Sequence, residues 1–194
     1  MNYTKVDTAQ IAEMIDNGTL TKMTVVKDVP VKAIELTQEV VDKMLAEGGY
    51  KTVVIDDEGK PFVETTNKKI NVGDMLVTNQ IAGYDNSYVV PAAKFVNLYT
   101  STENKEVFNP VATDKTVYLI PEGSNLVFEA PWGGDMKIRA NGVIVPDGEK
   151  FYGINPEEFK ATHSVKEPQI KNNVSQVLDS VRANTNDTPP KPTM

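Results

Sequence analysis

The feature that most restricts the fold of this 194-residue chain is a pattern written twice. Ile70 precedes Val77 by seven residues, and Ile138 precedes Val145 by seven, with the turn pairs Gly73-Asp74 and Asn141-Gly142 lying between them. Gly, and Asn more readily than most side chains, adopts the positive φ that a tight turn demands. Tyr88 and Phe95 are again seven apart, as are Tyr152 and Phe159, and each pair brackets a proline, Pro91 or Pro156, suited to opening a helical turn. Phe95 is followed at four residues by Tyr99, and Phe159 by His163, while Phe62 and Phe128 stand on the incoming strands. Five matches in register predict a duplicated unit of strand, strand ending on a Gly or Asn turn, strand, and a helical turn whose Phe packs back on the sheet. His163, the one side chain that titrates near neutrality unperturbed, falls on the position of Tyr99, which makes it an aromatic packing residue in this reading.

Other segments flank this body. Asp7-Thr8-Ala9-Gln10 is a capping box that opens a helix, with Ile11, Met14 and Ile15 on one face and Gly18 as its stop. Residues 24–36 read as extended with a bend at Pro30. Thr37 then caps a second helix, in which Val40, Val41, Met44 and Leu45 recur at helical spacing before Gly48-Gly49. Val53-Val54-Ile55 and Phe62-Val63-Glu64 flank a polar turn and predict a hairpin. Beyond Pro168, Ile170, Val174, Val177 and Val181 follow a 4-3-4 spacing that Leu178 widens, as in an amphipathic helix that docks on a partner or on its own sheet. The expected class is α+β: a β-rich body of two similar strand-strand-strand-helical-turn units, short N-terminal helices and a C-terminal amphipathic helical arm. The boundaries drawn are 1–29 for the N-terminal helix and lead-in strand, 30–105 and 106–165 for the two units, 166–183 for the arm and 184–194 for a Pro-rich tail.

The repeat resembles the small bacterial and phage domains named after a Pro-Gly-Asp-Tyr-Gly motif. Gly73-Asp74-Met75-Leu76-Val77 with Phe95-Val96-Asn97-Leu98-Tyr99 forms the better copy, and Phe128-Glu129-Ala130-Pro131-Trp132-Gly133-Gly134 with Phe159 and His163 forms the second. The resemblance covers residues 30–163, with Val72 in place of the motif's Pro and Leu76 in place of its Tyr. It implies a fold and a phage-type protein, and it brings no catalytic residue.

Composition narrows the chemistry. With 27 acidic against 20 basic side chains, a net charge of −7 and a pI near 4.8, the chain lacks the clustered Lys/Arg that phosphate-backbone binding requires. No apolar run approaches the roughly 20 residues that span a bilayer, and Met1-Asn2-Tyr3-Thr4-Lys5 does not read as a secretory signal. The chain holds no Cys and one His, which removes disulfides, thiol nucleophiles and multi-His metal sites. Asp56, Asp57 and Glu58 are expected to form a solvated turn, since the spacing of a calcium loop is missing. Trp132-Gly133-Gly134-Asp135, together with Tyr84, Asp85 and Asn86, is the choice for a small-molecule site, against the plainer reading of an aromatic that anchors a turn. Neither a phosphate-binding glycine loop nor a nucleophile elbow is written in the chain.

The expected function is therefore non-enzymatic: a phage-type structural or interaction protein, in the virion or the host cytoplasm. It is expected to bind protein subunits, self or other, through Ile170, Val174, Val177, Leu178 and Val181, without nucleic acid, membrane, cofactor or metal. Two alternatives stay open. One is a small-ligand or nucleotide binder at Tyr84, Asp85, Trp132 and Asp135; the other is a metal-dependent hydrolase built on Asp56, Asp57, Asp74 and Asp135.

Overall fold

A computed structural model describes residues 2–56, 58–81 and 84–166. Its elements are β1 (Thr4–Lys5), α1 (Thr8–Asp16), β2 (Thr21–Lys27), β3 (Val31–Glu35), α2 (Gln38–Ala46), β4 (Tyr50–Ile55), β5 (Pro61–Asn67), β6 (Met75–Ile81), β7 (Tyr84–Val90), α3 (Ala92–Leu98), β8 (Tyr99–Ser101) and β9 (Val107–Pro110). They continue with β10 (Lys115–Leu119), β11 (Leu126–Glu129), β12 (Asp135–Ile138), β13 (Val143–Asp147), β14 (Lys150–Ile154), α4 (Pro156–Thr162) and β15 (His163–Lys166). The body is β-rich and of the α+β class, with three five-stranded sheets and four short helices among the described residues.

Local chemistry sets the helix ends. Asp7 accepts from the backbone of Gln10, whose side chain reaches back to the Asp7 N–H, so α1 starts on the capping box read from the sequence. Thr37 accepts from Val40 and starts α2. The extended run of 24–36 breaks at Pro30 into β2 and β3, and these two strands enter different sheets.

Two of the sheets follow one plan. The first has the order β7-β6-β3-β9-β8 and the second β14-β13-β10-β2-β15, with every neighbouring pair antiparallel. Their turns agree atom for atom: Leu36 N–H donates to the Asp74 carbonyl and Gly73 N–H to Leu36, while Ile120 N–H donates to Gly142 and Asn141 N–H to Ile120. Gly73 and Asn141 both hold positive φ, at 88° and 64°. Asn141 is the only non-Gly residue with positive φ among those described, which explains an Asn where the other sheet has Gly. Phe95 N–H donates to the Pro91 carbonyl and Phe159 N–H to that of Asn155. Tyr99 then opposes Pro110 on β9, as His163 opposes Lys27 on β2. The boundary drawn after residue 105 is thus crossed in both directions: β9 completes the first sheet, and β2, from the N-terminal segment, completes the second.

The third sheet, β1-β11-β12-β5-β4, joins two hairpins through Met136 opposite Thr65, and β1 adds in parallel at one edge. Phe62 lies on the second strand of its hairpin and Phe128 on the first of its own, so these two residues, matched in the sequence, do not occupy like positions. The cores follow the layers. Ile11 of α1 packs with Ile120, Phe128 and Ile138, and Val41 of α2 packs with Leu36 and Ile70. Val31, Val77, Phe95 and Tyr99 fill one further cluster, and Val25, Val117, Val145 and Phe159 another. The residues Ile170, Val174, Val177, Leu178 and Val181 lie outside the described residues.

Candidate functional site

The densest chemistry lies where the three sheets meet. In β2 the inward alternation that buries Val25 also buries Lys27, which is 8% exposed. Its ammonium donates to Asn79 Oδ1 at 2.9 Å, to the Tyr88 hydroxyl at 2.9 Å and to the Tyr99 hydroxyl at 3.2 Å, which uses all three donors. It also stands 5.6 Å from the centroids of both rings, within cation–π range. Asn79 passes the chain on through Nδ2 to Glu158 Oε1 at 2.8 Å and to Asn86 Oδ1 at 3.3 Å.

A second carboxyl arrives from the third sheet. The β4–β5 ladder pairs Thr52 with Thr65 and Val53 with Val63, leaving Glu64 as the extra residue of a β-bulge. Bulges re-aim side chains, and this one sends Glu64, 3% exposed, into the junction. Asn155 donates through Nδ2 to Glu64 Oε1 and to the Lys137 carbonyl, and it accepts from the Arg139 N–H. Asn155 stands at the N-cap position of α4, yet its side chain caps no helix N–H because it is committed to these partners. Arg139, also buried, donates to Glu157 and to the Ile55 carbonyl.

Burial, and then the neighbouring Glu158 carboxyl, push Glu64 well above its ordinary range, against the lowering effect of the Asn155 bond. Burial raises Glu158 too, opposed by the Lys27 charge and the Asn79 bond. Burial thus holds both carboxyls of this coupled pair above the ordinary range, and the Lys27 charge opposes the rise at Glu158. Burial also raises Tyr88, and it pushes Tyr84 to about 12 with help from Glu157 and Glu158. His163 moves the other way, to about 4, through burial and then the charges of Lys27 and Lys115. Its ring stacks on Phe159 at 5.6 Å and 28°, as Tyr99 stacks on Phe95 at 4.9 Å and 27°. The Thr162 hydroxyl donates to the Glu158 carbonyl and pairs with Nδ1 of His163.

The residues singled out in the sequence are dispersed around this junction. Tyr84 opens β7 on the face that carries Asn86 and Tyr88 inward, whereas Asp85 lies on the opposite face and is exposed. Trp132 sits at the tip of the β11–β12 hairpin, where its indole N–H donates to Thr65 Oγ1 at 2.9 Å and its ring packs on the main core. Asp135 starts β12 at the same hairpin, exposed, 3.9 Å from the Lys5 ammonium. The Trp132 tip corresponds in topology to the β4–β5 tip, not to the β6–β7 loop that precedes Tyr84.

The other carboxylates serve turns. Asp56 accepts from the N–H groups of Glu58 and Lys60. Asp74, buried, accepts from Asn71 N–H at 2.8 Å and from Ala92 N–H at 3.1 Å, tying the turn before β6 to the start of α3. Asp57 lies outside the described residues. Among the described residues no group of three or more His, Asp or Glu is placed to hold a metal ion.

Sequence reasoning passed over Lys27, Glu64, Asn79, Asn155 and Glu158. The signal was polar residues at inward positions of otherwise apolar strands, Lys27 two after Val25 and Asn79 two after Val77, which must find partners when buried. No family model, no curated protein and no solved structure matches this chain.

Proposed function

We propose that this protein works by contact, as a non-enzymatic component of a protein assembly, and that its body is a duplicated unit of the phage-type Pro-Gly-Asp-Tyr-Gly class. The observation that carries this reading is the fate of the strongest chemical groups. Glu64 and Glu158, the two carboxyls with the most perturbed environments, are buried and hydrogen-bonded to amides of neighbouring elements, where they join sheets together. A general acid or base must reach a substrate proton at hydrogen-bond distance, and these groups face Asn155, Asn79 and Lys27. The single His, the other candidate, is stacked on Phe159.

The shared strand order of two sheets and the matching turns at Gly73 and Asn141 support the duplication. The partners are protein subunits, a second copy of the chain or another component, in a virion or the host cytoplasm. No helix among the described residues is long and apolar enough to cross a membrane. Deleting residues 169–194, which carry the apolar stripe of Ile170 to Val181, is expected to lower the mass of the assembly while circular dichroism of the body stays unchanged. An unaltered mass by light scattering would remove the arm from the account.

A further inference from the structure

Residues 2–27 belong, by contact, to the far half of the chain. β1 pairs with β11, β2 runs between β10 and β15, and Ile11 and Leu20 share a core with Ile120, Leu126 and Phe128. The same places in the first sheet are filled by local chain: β9 follows β8 directly, and α2 lies between β3 and β4. The helices α1 and α2 are themselves alike. Each has nine residues and a side-chain cap, at Asp7 or Thr37; each buries its fourth residue, Ile11 or Val41; and each is followed by a positive-φ glycine, Gly18 or Gly48. Between β10 and β11 the second half has no helix, only residues 120–125. Among its described residues the second half thus has neither this helix nor this interior strand, and a segment from the opposite end of the sequence supplies both.

We infer that residues 2–27 are a complementing segment that a second copy of this chain can supply, so that subunits associate by exchanging α1 and β2 about a hinge at residues 28–30. The hinge has the features that exchange requires. It is three residues long, bends at Val29 and ends on Pro30, and a connection this short between strands of two different sheets is the kind that opens into exchange. Every contact of the segment, including the bonds of Lys27 to Asn79, Tyr88 and Tyr99, is remade when the segment comes from another copy, so exchange opposes only the entropy of association. The inference rests on the proposal that the protein assembles, and names the partner and the surface.

The test uses the full chain, whose lack of cysteine leaves an introduced pair free of competition. Thr24 and Thr116 are direct cross-strand partners, so Thr24→Cys with Thr116→Cys places two thiols within disulfide reach. Oxidation at increasing protein concentration, read on non-reducing gels, is expected to give a covalent dimer that grows with concentration. A four-residue Gly-Ser insertion between Asp28 and Val29 is expected to return the crosslink to the monomer. Crosslinks confined to the monomer while light scattering shows an assembly overturn the exchange and leave the assembly standing. Crosslinks confined to the monomer together with a monomeric mass overturn the exchange and self-assembly together.

Discussion

Asn79 donates through Nδ2 to Oε1 of Glu158 at 2.8 Å, a bond between a strand of the first sheet and the helix that follows β14 of the second. Both residues are buried, and Asn79 simultaneously accepts from Lys27. This amide is the hinge pin between the two halves of the body. Asn79→Ala leaves a buried carboxyl and a buried ammonium each short of a partner, and a loss of about 2–3 kcal/mol is expected in urea unfolding. A loss below about 0.5 kcal/mol, the range of an ordinary surface change, would contradict the network.

Lys27→Met keeps the length of the side chain and removes the charge that supports Glu158. Removing the ammonium also leaves Asn79 Oδ1 and the Tyr88 and Tyr99 hydroxyls short of a donor, and a buried polar group left unsatisfied costs about 1–3 kcal/mol, so the same measurement should show Lys27→Met as more damaging than Asn79→Ala.

The Glu64 carboxyl, raised well above 4.5 in the folded protein, binds a proton that the unfolded chain has released. Its contribution is therefore full below about pH 4.5 and is lost as pH rises through the folded value. Glu64→Gln retains an acceptor for Asn155 without the ionisation. The variant is expected to match or exceed the natural protein in stability at pH 8, with a flatter profile above pH 5; a sharp loss at pH 8 would show that Glu64 is needed as an anion.

His163 works in the opposite sense. Its folded value of about 4 lies below the ordinary 6.5, so the unfolded chain binds the extra proton, and stability falls as pH drops from 6.5 towards 4. As the chain has one His, an NMR titration reads it directly. A midpoint near 4 is expected, and one near 6.5 would place the ring in water instead of on Phe159. His163→Phe should keep the stack and remove this acid-side loss.

Gly153 lies on β14, and a Cβ there would run into Cγ1 and Cδ1 of the fully buried Ile138. Gly153→Ala is expected to cost about 1–3 kcal/mol by overpacking, read as a lower thermal midpoint. At the like position of the first sheet stands Val89, which packs on the cluster of Leu36, Val41 and Ile70.

Much of the local structure was legible in the sequence because caps and turns are short-range devices. The capping box at Asp7, the Thr37 cap, the bend at Pro30 and the turns at Gly73 and Asn141 depend only on neighbours within a few residues. The match of Tyr99 with His163 was legible for the same reason, through its four-residue distance from a Phe. The placement of β2 between β10 and β15 was not, since it pairs residues such as Thr24 and Thr116 that no local periodicity connects. The junction at Glu64 was hidden by its bulge, which breaks the alternation that would have marked the side chain as inward. The pairing of Phe62 with Phe128 failed because two hairpins with one topology carry their aromatic residue on different strands.

The most direct test of a protein that acts by contact is the mass of the full chain in solution. Light scattering across a concentration series is expected to give a multiple of 21.3 kDa. A mass of 21.3 kDa at every concentration, for the protein alone, would contradict self-assembly and with it the exchange of residues 2–27.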